Sequence, residues 1–259
     1  MSKSKTGVAE WADHHQNIQT GCENACRYCY AEAMAIRFKR STAESWKTPT
    51  DNPISKRRRK VTTGRWMFPT THDITPRNMI RCAGALSNLL AAGNEVLIVT
   101  KPVPAAVTHV AQALSCFKGA ITWRLTIGSA DDAVLKYWEP GAPTFKQRLA
   151  ALYYLNSHGW KVGVSCEPML DLDIMAVVKA VLPAVTDEIW IGLPNRLAAQ
   201  VAMNCPGDKE AARRAKELMA GFTDAHLAML YLMFEAEKEI RWKDSIRERL
   251  GRMNRKEQR

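Results

Sequence analysis

The sequence has no run of 18 apolar residues, so a membrane-spanning helix is not expected. Its first fifteen residues carry no apolar core of the kind a secretory signal needs, which points to a cytoplasmic protein, of a bacterium or of a phage-infected host cell. Tandem repeats and low-complexity linkers are also missing. Cysteines number seven in 259 residues. That odd, sparse set is no disulfide scaffold and directs attention to thiolate chemistry in a reducing compartment. A hydrophobic content of 46% is enough for a full core and too much for a disordered chain.

What the chain has in excess is positive charge, a net +11. Between Arg37 and Arg65 lie ten basic and two acidic residues, which account for eight of those charges. Lys56, Arg57, Arg58, Arg59 and Lys60 form the centre of this stretch. A cluster of this kind reads either as a solvated loop or as a phosphate-contacting surface. The stretch 41–64, with Pro49 and Pro53 and few core residues, is expected to be an insertion starting on the face of the fold away from the motif described next. The segment 209–259 mixes thirteen basic with nine acidic residues, as solvated helices do.

Short apolar or β-branched runs alternate with helical patterns. Strands are expected at His15–Thr20, Arg65–Pro69, Glu95–Thr100, Ile121–Ile127, Lys161–Cys166 and Glu188–Leu193. Helices are expected near Tyr30–Arg40, Pro76–Ala92, Pro104–Phe117, Thr144–His158, Leu172–Leu182, Lys209–Ala220 and Asp224–Arg252. Pro76 suits a first helical position, and Gly93 and Gly159 suit left-handed helix ends. Six βα units in one domain imply an α/β fold with a parallel sheet that curls into part of a barrel.

The informative motif is Cys22-Glu23-Asn24-Ala25-Cys26-Arg27-Tyr28-Cys29-Tyr30, with spacing C-x3-C-x2-C. Seven cysteines placed at random would give this spacing in roughly 0.005 chains of this length. Zinc is one reading, with His14 or His15 as a fourth ligand. A [4Fe–4S] cluster with one iron left free of protein ligands is the other. The motif follows the first strand and precedes the first helix, on the face where barrel enzymes place their sites.

At these residues the chain resembles the radical S-adenosylmethionine (SAM) superfamily. The resemblance implies a partial (β/α)6 TIM-like barrel with C-terminal helices. It implies that Cys22, Cys26 and Cys29 each hold one iron and that SAM chelates the fourth. Reductive cleavage of SAM would then yield a 5′-deoxyadenosyl radical, with flavodoxin or ferredoxin as electron donor. A narrower resemblance is to spore photoproduct lyase and small phage-type relatives. It rests on Cys26–Tyr30, Thr70-Thr71-His72-Asp73, Val99-Thr100-Lys101, Glu139–Pro143 with Arg148-Leu149, and Glu167–Leu170. It implies SAM contacts from Tyr28, Tyr30, Thr71, Asp73 and Lys101, with Thr126 as a fourth-strand candidate. Where that group has a cysteine hydrogen donor beside the second-strand motif, this chain has Thr70.

Cys166 and Glu167, ending the fifth strand, are candidate catalytic residues. His72, Asn195 and Arg196 are weaker candidates, and Cys82 and Cys116 are expected to pack in helices. The first functional expectation is a radical SAM enzyme acting on thymine or modified thymine in DNA, by base hypermodification or rearrangement and less readily by repair lyase chemistry. The alternatives are a radical SAM enzyme on a peptide or small molecule, and a non-catalytic zinc or iron–sulfur module that binds nucleic acid.

Overall fold

The computed structural model of the chain describes residues 7–54 and 60–257, with side chains as far as Gly251. In chain order the strands are β1 (His14–His15), β2 (Gln19–Thr20), β3 (Thr50–Asp51), β4 (Trp66–Phe68), β5 (Val96–Thr100), β6 (Ile121–Thr126), β7 (Lys161–Cys166), β8 (Ile189–Ile191) and β9 (Ile240–Trp242). The helices are α1 (Tyr30–Arg37), α2 (Ala43–Trp46), α3 (Met79–Leu90), α4 (Pro104–Ala113), α5 (Asp132–Trp138), α6 (Phe145–Ser157), α7 (Ile174–Val181), α8 (Leu197–Asn204), α9 (Lys209–Gly221), α10 (Asp224–Met233) and α11 (Asp244–Glu257). None is long and apolar enough to cross a membrane.

Seven strands form one sheet in the order β1-β4-β5-β6-β7-β8-β9, and every neighbouring pair is parallel. Parallel neighbours in chain order each need a crossover, and right-handed crossovers put the helices on one face. This is barrel topology; a doubly wound sheet would reverse its order midway. β1 and β9 are the two edges, so the barrel is partial.

The strands alternate sharply between two environments, as their period of two requires. Trp123, Leu125, Val162, Val164 and Cys166 pack with helix residues such as Val107, Leu152 and Val177 in the main apolar core. Met67 and Leu97 belong to a separate cluster with Trp11, Val99 and Trp190. The second set fills the concave side of the sheet, under the site described below.

Several expectations need correction. His15–Thr20 is two short strands, because β1 joins the large sheet while β2 pairs antiparallel with β3. The sheet has seven strands where six were expected. The seventh, β9, lies inside the segment Asp224–Arg252 expected to be one helix. The Glu235–Glu239 run reads as helical, yet Ile240–Trp242 pairs with β8. Helix α3 begins at Met79, beyond the turn that follows Pro76. Helices α5 and α8 were not foreseen. Cys116 is exposed on a 3-10 turn after α4, whereas Cys82 is buried within α3. Gly93 and Gly159 have positive φ, 89° and 67°, at the expected helix ends.

The start of the insertion is folded, and not on the expected face. Thr42 caps α2 through a reciprocal pair with Ser45. Trp46 is buried against Cys22, Ala31 and Ala35. Its carbonyl accepts the Cys22 amide at 3.0 Å. The insertion therefore leads back to the cysteine motif.

Candidate active site

The loop carrying the three cysteines is held by backbone groups from three directions. Trp46 holds Cys22 on one side. From the segment after α5, the Trp138 carbonyl accepts Arg27 N–H at 2.9 Å, and Gly141 N–H donates to the Asn24 carbonyl at 3.0 Å. From the end of α8, the Asn204 amide donates to the carbonyls of Arg27 (3.2 Å) and Cys29 (2.9 Å). Arg27 adds an ion pair to Asp208 at 2.8 Å. Cys29 then caps α1, its sulfur accepting the Glu32 amide at 3.4 Å. Trp46 and Asn204 carry no motif, and only the fold could reveal them.

Burial pushes the Cys22 thiol up to about 12 and the Cys29 thiol up to about 11, and lifts Cys26 well above the ordinary thiol range. Glu139, Cys22 and Cys29 add to the rise at Cys26, so the three sulfurs share one electrostatic environment. Such thiols ionise only when a cation compensates them, as a bound metal centre does.

The three cysteines border a cavity of about 430 Å³. Tyr28, Tyr30, Thr71, Asp73, Lys101, Thr126 and Glu167 also line it. Among the described residues, no three Cys, His, Asp or Glu side chains already close around a single-ion position. His14 is stacked on Trp66 and hydrogen-bonded to the Thr63 carbonyl, and neither His14 nor His15 borders the cavity.

Asp73 is the hub of the cavity wall. It accepts the Lys101 amide at 2.6 Å, Thr100 Oγ1 at 3.1 Å and Asn24 Nδ2 at 2.8 Å, and its Oδ2 lies 3.4 Å from Lys101 Nζ. Burial alone would raise this carboxyl, but Lys101 and these donors outweigh it and hold it below the usual range. Burial likewise works against the Lys101 charge, and Asp73 together with Cys26, Tyr28 and Glu139 outweighs it, holding the ammonium well above its ordinary value. Asp73, expected to touch a cofactor, borders the cavity, and its oxygens also link the cysteine loop to the end of β5. His72 is a satisfied polar contact: Nε2 accepts the Ile18 amide and Nδ1 donates to the Asp73 carbonyl.

Behind the cysteines lies a second buried group. Tyr28 Oη donates to Glu139, Arg148 forms an ion pair with the other Glu139 oxygen, and Arg148 also donates to the carbonyls of Pro143 (2.8 Å) and Thr126 (3.1 Å). The sequence displayed Glu139 and Arg148 within a family-like stretch without a role. Their role is to seat Tyr28 and the fourth-strand end.

Glu167 and Cys166 part company. Glu167 faces the cavity, with Lys243 Nζ 3.4 Å away. Lys243, fully buried, also pairs with Glu10 and donates to the Gly7 carbonyl at 2.9 Å. Cys166 is buried in the apolar core against the helices and does not border the cavity, which corrects its candidacy as a catalytic residue. Asn195 lines the cavity, and Arg196 does not. Of the basic run, Lys56, Arg57, Arg58 and Arg59 lie outside the described residues. Lys60 is exposed, and its carbonyl accepts Asn94 Nδ2 at 3.1 Å.

No family model matches the chain. It is 29% identical to an uncharacterized protein, ORF301, of Acidianus two-tailed virus, over 59% of this chain and 54% of the viral one. Among solved structures it is similar to spore photoproduct lyase complexed with dinucleoside spore photoproduct, with TM-score 0.53 and 19% identity, over 80% of this chain and 65% of that one. It is also similar to Streptococcus suis SuiB bound to S-adenosylmethionine, with TM-score 0.52 and 12% identity, over 86% of this chain and 48% of that one. The chain thus spans about half of the curated relative and just under two thirds of the lyase. The fold expected from the radical SAM resemblance is the fold these likenesses give.

Proposed function

We propose that the chain is a radical SAM enzyme that abstracts hydrogen from a nucleobase, thymine or modified thymine in DNA. One observation carries the reading: three buried cysteines, a cationic Lys101 and Glu167 border a single cavity in this fold. The similar proteins hold a dinucleoside photoproduct in one case and SAM in the other, which supports both the substrate class and the cofactor.

The residues fit the cofactors. Cys22, Cys26 and Cys29 would hold a [4Fe–4S] cluster with one iron free for SAM. When bound, the pair supplies one-electron cleavage of SAM and a 5′-deoxyadenosyl radical for hydrogen abstraction. Lys101 offers its remaining N–H donors to a carboxylate, a charge-assisted contact. Thr71 and Thr126 offer hydroxyls to amino or ribose groups. Tyr28 is held by Glu139 as a fixed wall, and Tyr30 is held by donation to the Thr70 carbonyl. Glu167, steadied by Lys243, presents a hydrogen-bonding carboxyl to the substrate. Among the described residues the triad supplies the cavity's only thiols, and Thr70 stands where a donor cysteine is expected. This supports remodelling or hypermodification of the base over photoproduct repair.

The test is anaerobic reconstitution followed by incubation with dithionite, SAM and oligodeoxynucleotides, with nucleosides analysed by mass. Methionine, 5′-deoxyadenosine and a base of altered mass are expected. Zinc without iron would exclude the enzyme, and SAM cleavage coupled only to peptides would exclude the nucleobase.

A further inference from the structure

Three large apolar side chains stand in one row along α1 and its end. Tyr30, Met34 and Phe38 are spaced four residues apart, so they share one helix face. They are 44%, 41% and 56% exposed. The flanking positions Ala31, Ala33 and Ala35 and the opposite position Glu32 are buried. The stripe meets the site at one end, because Tyr30 lines the cavity while Met34 and Phe38 lie beyond it.

The outer end of the stripe is charged in a specific way. The guanidinium of Arg37 lies 5.9 Å from the Phe38 ring centroid and that of Arg40 lies 5.4 Å from it. Lys39, between them, has φ +55°, the left-handed conformation that glycine adopts most cheaply at a helix end. The turn is fixed by Lys39 N–H to the Ile36 carbonyl (2.9 Å) and Arg40 N–H to the Ala35 carbonyl (2.8 Å). A lysine here adds a third exposed cation next in sequence to Phe38, at a conformational cost. Among the described residues, none of these three cations forms an ion pair with a carboxylate. The result is a flat ring flanked by free cations, next to two further apolar side chains.

We propose that this stripe is the docking surface for a nucleic-acid strand, with bases laid on Phe38 and Met34, phosphates on Arg37, Lys39 and Arg40, and the target base delivered past Tyr30 into the cavity. Aromatic platforms interleaved with cations are how single strands are held without sequence readout. An exposed phenylalanine gains free energy when apolar surface covers it, and a flat base also offers its ring a stacking partner. An acidic protein would satisfy the cations but would leave the half-exposed Phe38 ring without an apolar partner. The proposal rests on the nucleobase reading of the cavity and extends it to a surface distinct from the Lys56–Lys60 run.

The test is fluorescence anisotropy of a short labelled oligothymidylate across a salt series. The reconstituted protein is compared with Phe38→Ala and with the triple variant Arg37→Gln, Lys39→Gln, Arg40→Gln. All substituted residues are exposed, and the cluster absorbance checks that each variant is intact. Phe38→Ala should weaken binding roughly five- to a hundredfold, the range for losing one stacked base. The triple variant should lower the log–log salt slope by about two, at ~0.7 per lost phosphate contact. Conversion of the oligonucleotide should fall while conversion of free thymidine stays the same. Unchanged affinity and slope in both variants would overturn the stripe, even if free thymidine is converted. A slower reduction by an acidic electron-transfer protein with DNA binding intact would also overturn it. Stripe-dependent binding with no altered base would support the surface while the nucleobase chemistry fails.

Discussion

Asp73 grips Lys101 twice, accepting its backbone amide at 2.6 Å and lying 3.4 Å from its ammonium. The same carboxylate takes the Asn24 amide of the cysteine loop. A single residue in the loop after β4 thus sets both the cysteine loop and the cation proposed to meet SAM. The two partners should fail differently when removed.

Lys101→Ala should weaken SAM binding by about ten- to a hundredfold, the range for one charge-assisted hydrogen bond, with iron content unchanged. Asp73→Ala should lose iron as well, because Asn24 is released and a buried ammonium is left unpaired. Breaking a buried pair costs about 3–5 kcal/mol. Calorimetry with SAM, iron analysis and denaturant unfolding check the two patterns. Equal SAM affinity in Lys101→Ala would return that lysine to a purely structural role. The depressed Asp73 carboxyl also fixes a sign: its stabilisation is present above the ordinary carboxylate pKa and is lost as pH falls through its lower, folded value.

Substituting Cys22, Cys26 and Cys29 by Ala should abolish the brown chromophore and the iron. Cys82→Ala and Cys116→Ala should keep both. Cys166→Ala should keep the cluster and SAM cleavage, since that side chain packs against the helices. A loss of substrate-coupled turnover in Cys166→Ala, with the fold intact, would put a thiol back into the reaction.

The difference between Cys166 and Glu167 shows where sequence reading ran out. Both end a strand that was placed correctly, yet successive strand residues point to opposite faces, and only the sheet's packing decides which face is concave. The triad was legible because its chemistry is compressed into eight residues. Lys101 and Thr126 were legible as ends of apolar runs. The pairing of Lys243 with Glu10 and Glu167 was not, because β9 hides within a segment of helical composition and Glu10 lies more than two hundred residues away. Asn204 was hidden for the same reason, its contacts to Arg27 and Cys29 depending wholly on the tertiary fold. The basic run drew attention by composition alone, while the cations beside Phe38 belong to a geometry that charge counting does not see.

Glu167 should introduce a pH dependence near neutrality. Burial pushes its carboxyl up to about 7, with Lys243 opposing the rise. A carboxyl raised in the fold favours the folded state when protonated. That contribution is complete below the ordinary value of ~4.3 and disappears as pH rises through about 7. Substrate-coupled turnover should therefore change across pH 7 in the native protein and lose that step in Glu167→Gln. Lys243→Met should instead destabilise the whole fold by about 3–5 kcal/mol, since it strands two carboxylates. An identical pH profile in Glu167→Gln would remove this residue from the substrate's surroundings.

Gly141 offers the most direct probe of how the cysteine loop is seated. A Cβ at this position would collide with the Glu23 carbonyl oxygen and lie 2.9 Å from the Asn24 Cα, both backbone atoms of the cysteine loop. Neither can move without displacing Cys22 or Cys26, and the Gly141 N–H bond to the Asn24 carbonyl would be lost with the shift. Gly141→Ala should therefore lower iron content and SAM-cleavage rate together while leaving far-ultraviolet circular dichroism unchanged. Gly84→Ala is the matched control. It sits on the exposed side of α3 with nothing within 4 Å of the added carbon. There the same methyl group should stabilise the helix by about 0.5–1 kcal/mol and leave the cluster untouched. If Gly141→Ala retains a full complement of iron, the loop after α5 is a passive neighbour, and the seating of the cysteines passes to Trp46 and Asn204 alone.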